Sequence, residues 1–141
     1  MGLYRILIVA DSEMLHTMYR FGLGRYVEAG TRLMKSYDGE DAWERCLLDP
    51  SPDLIILDMV RPLPGGIEFL QKRQLDTEIA RIPVIVVTNK VLPEGLAPGL
   101  FGTPSGTISR PIQSDLFYQM IDRLTADRER PCNPLADTQA G

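Results

Sequence analysis

The chain has 141 residues, a formal net charge of −4 and 44% hydrophobic against 24% charged residues. These values are typical of one globular domain with a full core. The negative charge, with no stretch rich in Lys and Arg, argues against direct nucleic-acid binding. No apolar run reaches the roughly 20 residues of a membrane span, and the N-terminus lacks a signal-peptide pattern, so we expect a cytoplasmic protein without membrane contact.

Alternating strands and helices are predicted along the first half of the chain. Residues 4–10 form a near-continuous apolar run, typical of a strand covered on both faces of a parallel sheet. A helix follows, with Ser12 as its cap. Its predicted apolar side consists of Met14, Leu15, Met18, Phe21 and Leu23. A second strand is predicted over 31–37. A short helix over 39–49 should bury Ala42, Trp43, Cys46 and Leu47.

The same alternation continues in the second half. Strands are predicted at 54–57, 84–87 and 107–109. A helix with Ile67, Phe69, Leu70 and Leu75 should follow the third strand, and one with Leu116, Phe117, Met120, Ile121 and Leu124 the fifth. Between the fourth and fifth strands, residues 92–105 are rich in Pro and Gly, which predicts an irregular or shortened fourth helix. We assign one domain to residues 1–126 and a flexible tail or linker to 127–141.

Repeated strand–helix units of this length predict an α/β fold, a doubly wound parallel sheet whose ligands bind at the carboxyl ends of the strands. Four polar side chains are expected at those ends: Asp11, Asp58, Thr88 and Arg110. Two nearby carboxylates favour a hard divalent cation, above all Mg²⁺. An aspartate beside such a cation can accept a phosphoryl group. The pattern therefore predicts a phosphoryl-accepting site.

Over residues 3–126 the chain resembles the receiver domains of bacterial two-component response regulators. The segment PDLIILDMVRPLPGGIEFL carries the resemblance, with Pro62 and Gly66 at the distances found in the family. The resemblance implies a five-stranded, flavodoxin/CheY-like sheet in the order 2-1-3-4-5. It also implies that Asp58 is the phosphoacceptor, and that Asp11, Asp58 and the backbone carbonyl of Val60 hold Mg²⁺.

Further roles follow from the same matching. Thr88 corresponds to the hydroxyl residue whose movement reports phosphorylation. Asn89 and Arg110 are expected to contact the phosphoryl group. Arg110-Pro111 stands where the family usually has Lys-Pro, with a cis bond before Pro111.

Four positions depart from the family pattern. Ala10 replaces the first of two acids after the first strand, which should weaken metal binding. Arg110 has a planar head in place of a compact ammonium group. Asn89 can crowd the phosphoryl group, and Thr107 replaces a frequently aromatic switch residue.

The resemblance implies a signalling receiver rather than an enzyme. Its partners would be a sensor histidine kinase or histidine phosphotransfer protein and a downstream protein or effector domain, with a homodimer possible. A pseudo-receiver that binds proteins without being phosphorylated is the alternative. A flavodoxin-like cofactor carrier is a third, less favoured class, because no Ser/Thr- and Gly-rich loop follows the first strand. The lone histidine, His16, is interpreted as a surface or partly packed residue without a phosphoryl-carrying role.

Overall fold

A computed structural model describes residues 5–48, 50–89 and 105–126. The elements in chain order are β1 (Arg5–Val9), α1 (Glu13–Gly22), α2 (Gly24–Glu28), β2 (Arg32–Ser36), α3 (Gly39–Leu47), β3 (Leu54–Asp58), α4 (Gly66–Leu75), a 3-10 turn (Ile79–Arg81), β4 (Val84–Thr88), β5 (Gly106–Ser109) and α5 (Ser114–Leu124). The predicted irregular segment, apart from its last residue, and the predicted tail lie outside the described residues.

The five strands form one parallel sheet in the order β2-β1-β3-β4-β5. This confirms the predicted fold class and strand order. Val9 is in register with Leu57, and Asp58 with Val87. The carboxyl ends of the central strands therefore meet at one edge of the sheet, as expected for parallel strands.

Helices cover both faces of the sheet, and the strand residues alternate between two cores. One core joins Leu7 and Leu57 to Phe69 of α4. The other joins Ile8 to Tyr19 of α1. Every residue of β3 and β4 is buried, which explains why these strands appear in the sequence as continuous apolar runs.

Helix α1 faces the sheet differently from the prediction. Ser12 does cap it, accepting a hydrogen bond from the Leu15 amide at 3.3 Å. Met14 and Phe21, however, are 75% and 83% exposed, whereas His16 and Tyr19 are buried. The prediction was therefore wrong for Met14, Met18 and Phe21 and right for Leu15 and Leu23, which belong to or pack against the core. The buried side of α1 also includes polar-tipped residues that find partners inside the fold. Three further residues that were predicted on apolar helix sides are also exposed: Leu47, Leu75 and Leu116.

The loop between β3 and α4 is pressed against the start of α3. The amide of Gly39 donates to the Pro64 carbonyl at 2.7 Å. A Cβ atom on Gly39 would lie 1.9 Å from the Gly65 carbonyl oxygen, and Gly65 has a positive φ of 73°. Both positions therefore require glycine, one for space and the other for its backbone conformation. The contact fixes the far end of the loop that begins at the candidate site.

Candidate functional site

Asp58 is the centre of the site. It is the last residue of β3, and its side chain is only 2% exposed. Its Oδ2 atom accepts hydrogen bonds from the Tyr19 hydroxyl at 2.5 Å and from Arg110 Nη2 at 2.6 Å, while Oδ1 accepts from the Val60 amide at 3.1 Å. A buried carboxylate is costly unless it is paired and hydrogen-bonded, and here both of its oxygens have partners.

Tyr19 is a site residue that the sequence reasoning missed. Burial raises the pKa of its hydroxyl, and the charge of Asp58 raises it further. The hydroxyl therefore stays protonated and serves as a donor to Asp58. The available signal was its spacing: Tyr19 lies three residues after His16 and four before Leu23, on one side of a helix, and a buried tyrosine hydroxyl usually has a partner.

Arg110 follows β5 and is held in place by its backbone. Its amide donates to the Thr88 carbonyl at 2.9 Å, and the Arg110-Pro111 peptide bond is cis, as the resemblance implies. Burial acts to lower the pKa of Arg110, but the neighbouring Tyr19 and Asp58 outweigh it and raise the pKa. The guanidinium group of Arg110 therefore stays positively charged beside the Asp58 carboxylate.

Asp11 lies in the bend after β1, next to the fully buried Ala10. Its Oδ1 atom accepts a hydrogen bond from Arg61 Nη2 at 2.8 Å. Arg61 had no role in the sequence prediction, because fifty residues separate the two partners. Each of the two predicted acids is thus paired with an arginine, Asp11 with Arg61 and Asp58 with Arg110.

Thr88 and Asn89 lie at the end of β4. The buried Thr88 hydroxyl donates to the Asn89 carbonyl at 3.1 Å, and none of the hydrogen bonds found in the described ranges joins it to Asp58. Asn89 Nδ2 donates to the Val60 carbonyl at 3.4 Å. The Asn89 side chain is therefore hydrogen-bonded to the Val60 carbonyl oxygen, which was predicted to bind the metal.

His16 is buried rather than on the surface. Its Nε2 atom lies 3.1 Å from the Ala10 carbonyl and 3.0 Å from the Ser36 carbonyl. Two acceptors at one nitrogen require the proton there. His16 therefore ties the end of β1 to the end of β2, which is a structural role.

Comparisons with known proteins give a consistent picture. No protein-family model matches the chain. It is 30% identical over 123 residues to the gliding motility regulatory protein of Myxococcus xanthus, covering 86% of this chain and 15% of that protein. A crystal structure of the signal receiver domain of a signal transduction histidine kinase from Syntrophus aciditrophicus superimposes with a TM-score of 0.74 at 25% identity. The match covers 90% of this chain and 93% of that one.

Chemotaxis response regulator CheY4 of Vibrio cholerae shares the fold, with a TM-score of 0.69 at 22% identity over 87% of this chain and 99% of that one. The chain therefore has the CheY-like fold of receiver domains, and its sequence relatives are response regulators. It spans between 15% and 54% of the length of the first curated relatives that it matches. Receiver domains typically act as signalling modules that interact with kinases and downstream effectors. None of the helices in the described ranges has the length and apolar character that a bilayer span requires.

Receiver domains in general bind Mg²⁺ for phosphorylation. Here the oxygens that suit a hard cation are those of Asp11, Asp58 and the Val60 carbonyl. Within the residues that the structure describes, no group of three or more His, Cys, Asp or Glu side chains could hold a metal ion. The donor set fits Mg²⁺ in its chemistry. One oxygen of each residue, however, already accepts a hydrogen bond: Asp11 from Arg61, Asp58 from Arg110 and the Val60 carbonyl from Asn89.

Proposed function

We propose that this receiver domain accepts a phosphoryl group on Asp58 from a sensor histidine kinase or a histidine phosphotransfer protein. The observation that carries the proposal is the ion pair between the buried Asp58 and the partly exposed Arg110 at the carboxyl edge of the sheet. A carboxylate in this position is a nucleophile, and the cation beside it can stabilise the additional negative charge of an acyl phosphate.

In the proposed reaction, an oxygen of Asp58 attacks the phosphorus of a donor phosphohistidine. The new bond joins that oxygen to phosphorus, the bond from phosphorus to the donor's ring nitrogen breaks, and its electron pair stays on that nitrogen, which takes up a proton. Arg110 lies within reach of the transferred group. Asp11, Asp58 and the Val60 carbonyl would hold Mg²⁺, which when bound supplies positive charge for the phosphoryl oxygens.

The proposed output is a shift in the population of a partner-binding surface. Thr88 would leave the Asn89 carbonyl and donate its hydroxyl to the phosphoryl group. Two partners of Asp58, Tyr19 and Arg110, also line a groove of about 380 Å³ between α1 and the start of α5. A chemical change at Asp58 can therefore alter an accessible surface through a single side chain, either Tyr19 or Arg110.

The test is incubation with Mg²⁺ and acetyl phosphate, followed by intact-mass measurement. We expect one phosphoryl group on the unmodified chain and none on Asp58→Asn. Asp53→Asn is the matched control, because Asp53 is a buried aspartate directly before the first residue of the same strand, where it accepts a hydrogen bond from the Arg5 amide. Label that survives in Asp58→Asn refutes the assignment. If neither acetyl phosphate nor a phosphohistidine donor phosphorylates the chain, that result supports the pseudo-receiver alternative.

A further inference from the structure

We propose that Arg61 is a built-in competitor of the divalent cation: its guanidinium group occupies Asp11 in the metal-free protein, and the cation binds only after Arg61 has left. This inference rests on the proposed metal ligands but not on phosphorylation. It assigns a role to a residue that neither composition nor motif indicated.

The first argument is position. Arg61 Nη2 lies 2.8 Å from Asp11 Oδ1, within the range of a charge-assisted hydrogen bond. Arg61 also directly follows Val60, whose carbonyl is another predicted ligand. Arg61, whose guanidinium group competes with the metal ion, is therefore joined to the predicted ligand Val60 by a single peptide bond.

The second argument is charge. Two carboxylates, Asp11 and Asp58, face two guanidinium groups, Arg61 and Arg110, so the four side chains sum to zero. With Ala10 in place of a third acid, nothing in this cluster carries surplus negative charge. A divalent cation gains little from a neutral cluster, but displacing Arg61 into solvent restores a negative charge at Asp11.

The third argument is mobility. The Arg61 side chain is 60% exposed and that of Asp11 is 30% exposed, whereas the Arg110–Asp58 pair is 26% and 2% exposed. An exposed ion pair is weak and dissociates readily, and a buried pair resists separation. Arg61 is therefore the partner that a cation can replace, while Arg110 stays on Asp58.

The experiment compares cation binding to the wild-type chain, Arg61→Met and Arg61→Lys. Mn²⁺ is titrated with free Mn²⁺ followed by electron paramagnetic resonance, and Mg²⁺ is titrated with amide chemical shifts of Asp11 and Val60 followed by NMR. Arg32→Met is the control, because Arg32 is an exposed arginine at the amino end of β2, at the opposite edge of the sheet. It removes the same charge without touching the site.

Loss of an exposed ion pair and of a nearby positive charge should tighten cation binding by about threefold to tenfold in Arg61→Met. Arg61→Lys should fall between Arg61→Met and wild type, because it keeps the charge but loses the planar fork. Arg32→Met should stay within about twofold of wild type, since exposed charges beyond a Debye length are screened. Unchanged or weaker binding in Arg61→Met overturns the proposal, as does equal tightening in Arg32→Met or no binding to any variant. Phosphorylation of Asp58 is scored separately, so either proposal can fail without the other.

Discussion

Replacing Tyr19 by phenylalanine should destabilise the domain by about 1.5–2 kcal/mol, in the lower part of the range for a hydrogen bond to a charged group. The substitution keeps the buried ring and removes only the hydroxyl that donates to Asp58 Oδ2 at 2.5 Å. Asp58 keeps Arg110 on the same oxygen and the Val60 amide on the other. The carboxylate is therefore left with fewer partners but not unpaired, which is why the lower part of the range applies.

Urea denaturation followed by fluorescence of the single tryptophan, Trp43, measures this cost. For a chain of this size the same loss lowers the melting temperature by about 6 °C. Tyr118→Phe is the control, because the Tyr118 hydroxyl donates to the Gly22 carbonyl at 2.8 Å in an exposed setting. It should cost less than about 0.5 kcal/mol.

A double-mutant cycle shows whether the cost comes from Asp58. In an Asp58→Asn background, Tyr19→Phe should cost about 1 kcal/mol less than in wild type, because the charged acceptor is gone. Equal costs of Tyr19→Phe in the two backgrounds, or equal stabilities of Tyr19→Phe and Tyr118→Phe, would refute the reasoning.

Two further predictions concern packing and pH. Gly39→Ala should lower the free energy of unfolding by about 2–3 kcal/mol, because its methyl group would overlap the Gly65 carbonyl. The control, Gly22→Ala, should not lower it, because the space around Gly22 is open. Equal melting temperatures of the two variants would contradict this account. Burial raises the pKa of the Cys46 thiol from 9.0 to about 12. Above pH 9 the unfolded chain therefore loses a proton that the folded chain keeps, and stability should fall by about 1 kcal/mol by pH 10. Urea denaturation between pH 8.5 and 10 checks this, and a slope that Cys46→Ala does not reduce would assign the loss to other groups.

The strands were predictable because burial on both faces leaves a direct mark on the sequence. In β3 and β4 every residue is buried, so apolar runs and strands coincide almost residue for residue. The sheet order then followed from the resemblance, and the position of Asp58 and Thr88 at the strand ends followed from the runs themselves.

The buried side of α1 could not be predicted in the same way. Helical spacing favoured Met14 and Phe21, whose side chains lie exposed, over His16 and Tyr19. Both polar residues are buried because the fold supplies their hydrogen-bond partners. His16 contacts two strand-end carbonyls, and Tyr19 donates to Asp58.

Arg61 was unpredictable for a related reason. Its contact with Asp11 depends on two loops that follow neighbouring strands, β1 and β3. No local pattern in the sequence encodes a contact of this kind.

The close contact between Gly39 and Gly65 also has a kinetic consequence. Because the loop after β3 is fixed at Pro64 and Gly65, Arg61 would leave Asp11 by rotation about its own side-chain bonds rather than by movement of the backbone. Rotamer changes of exposed side chains take picoseconds to nanoseconds, whereas collective loop and domain motions are far slower. Backbone motion would then not limit metal exchange, and the Asp11 amide should give one averaged resonance that shifts continuously during a Mg²⁺ titration.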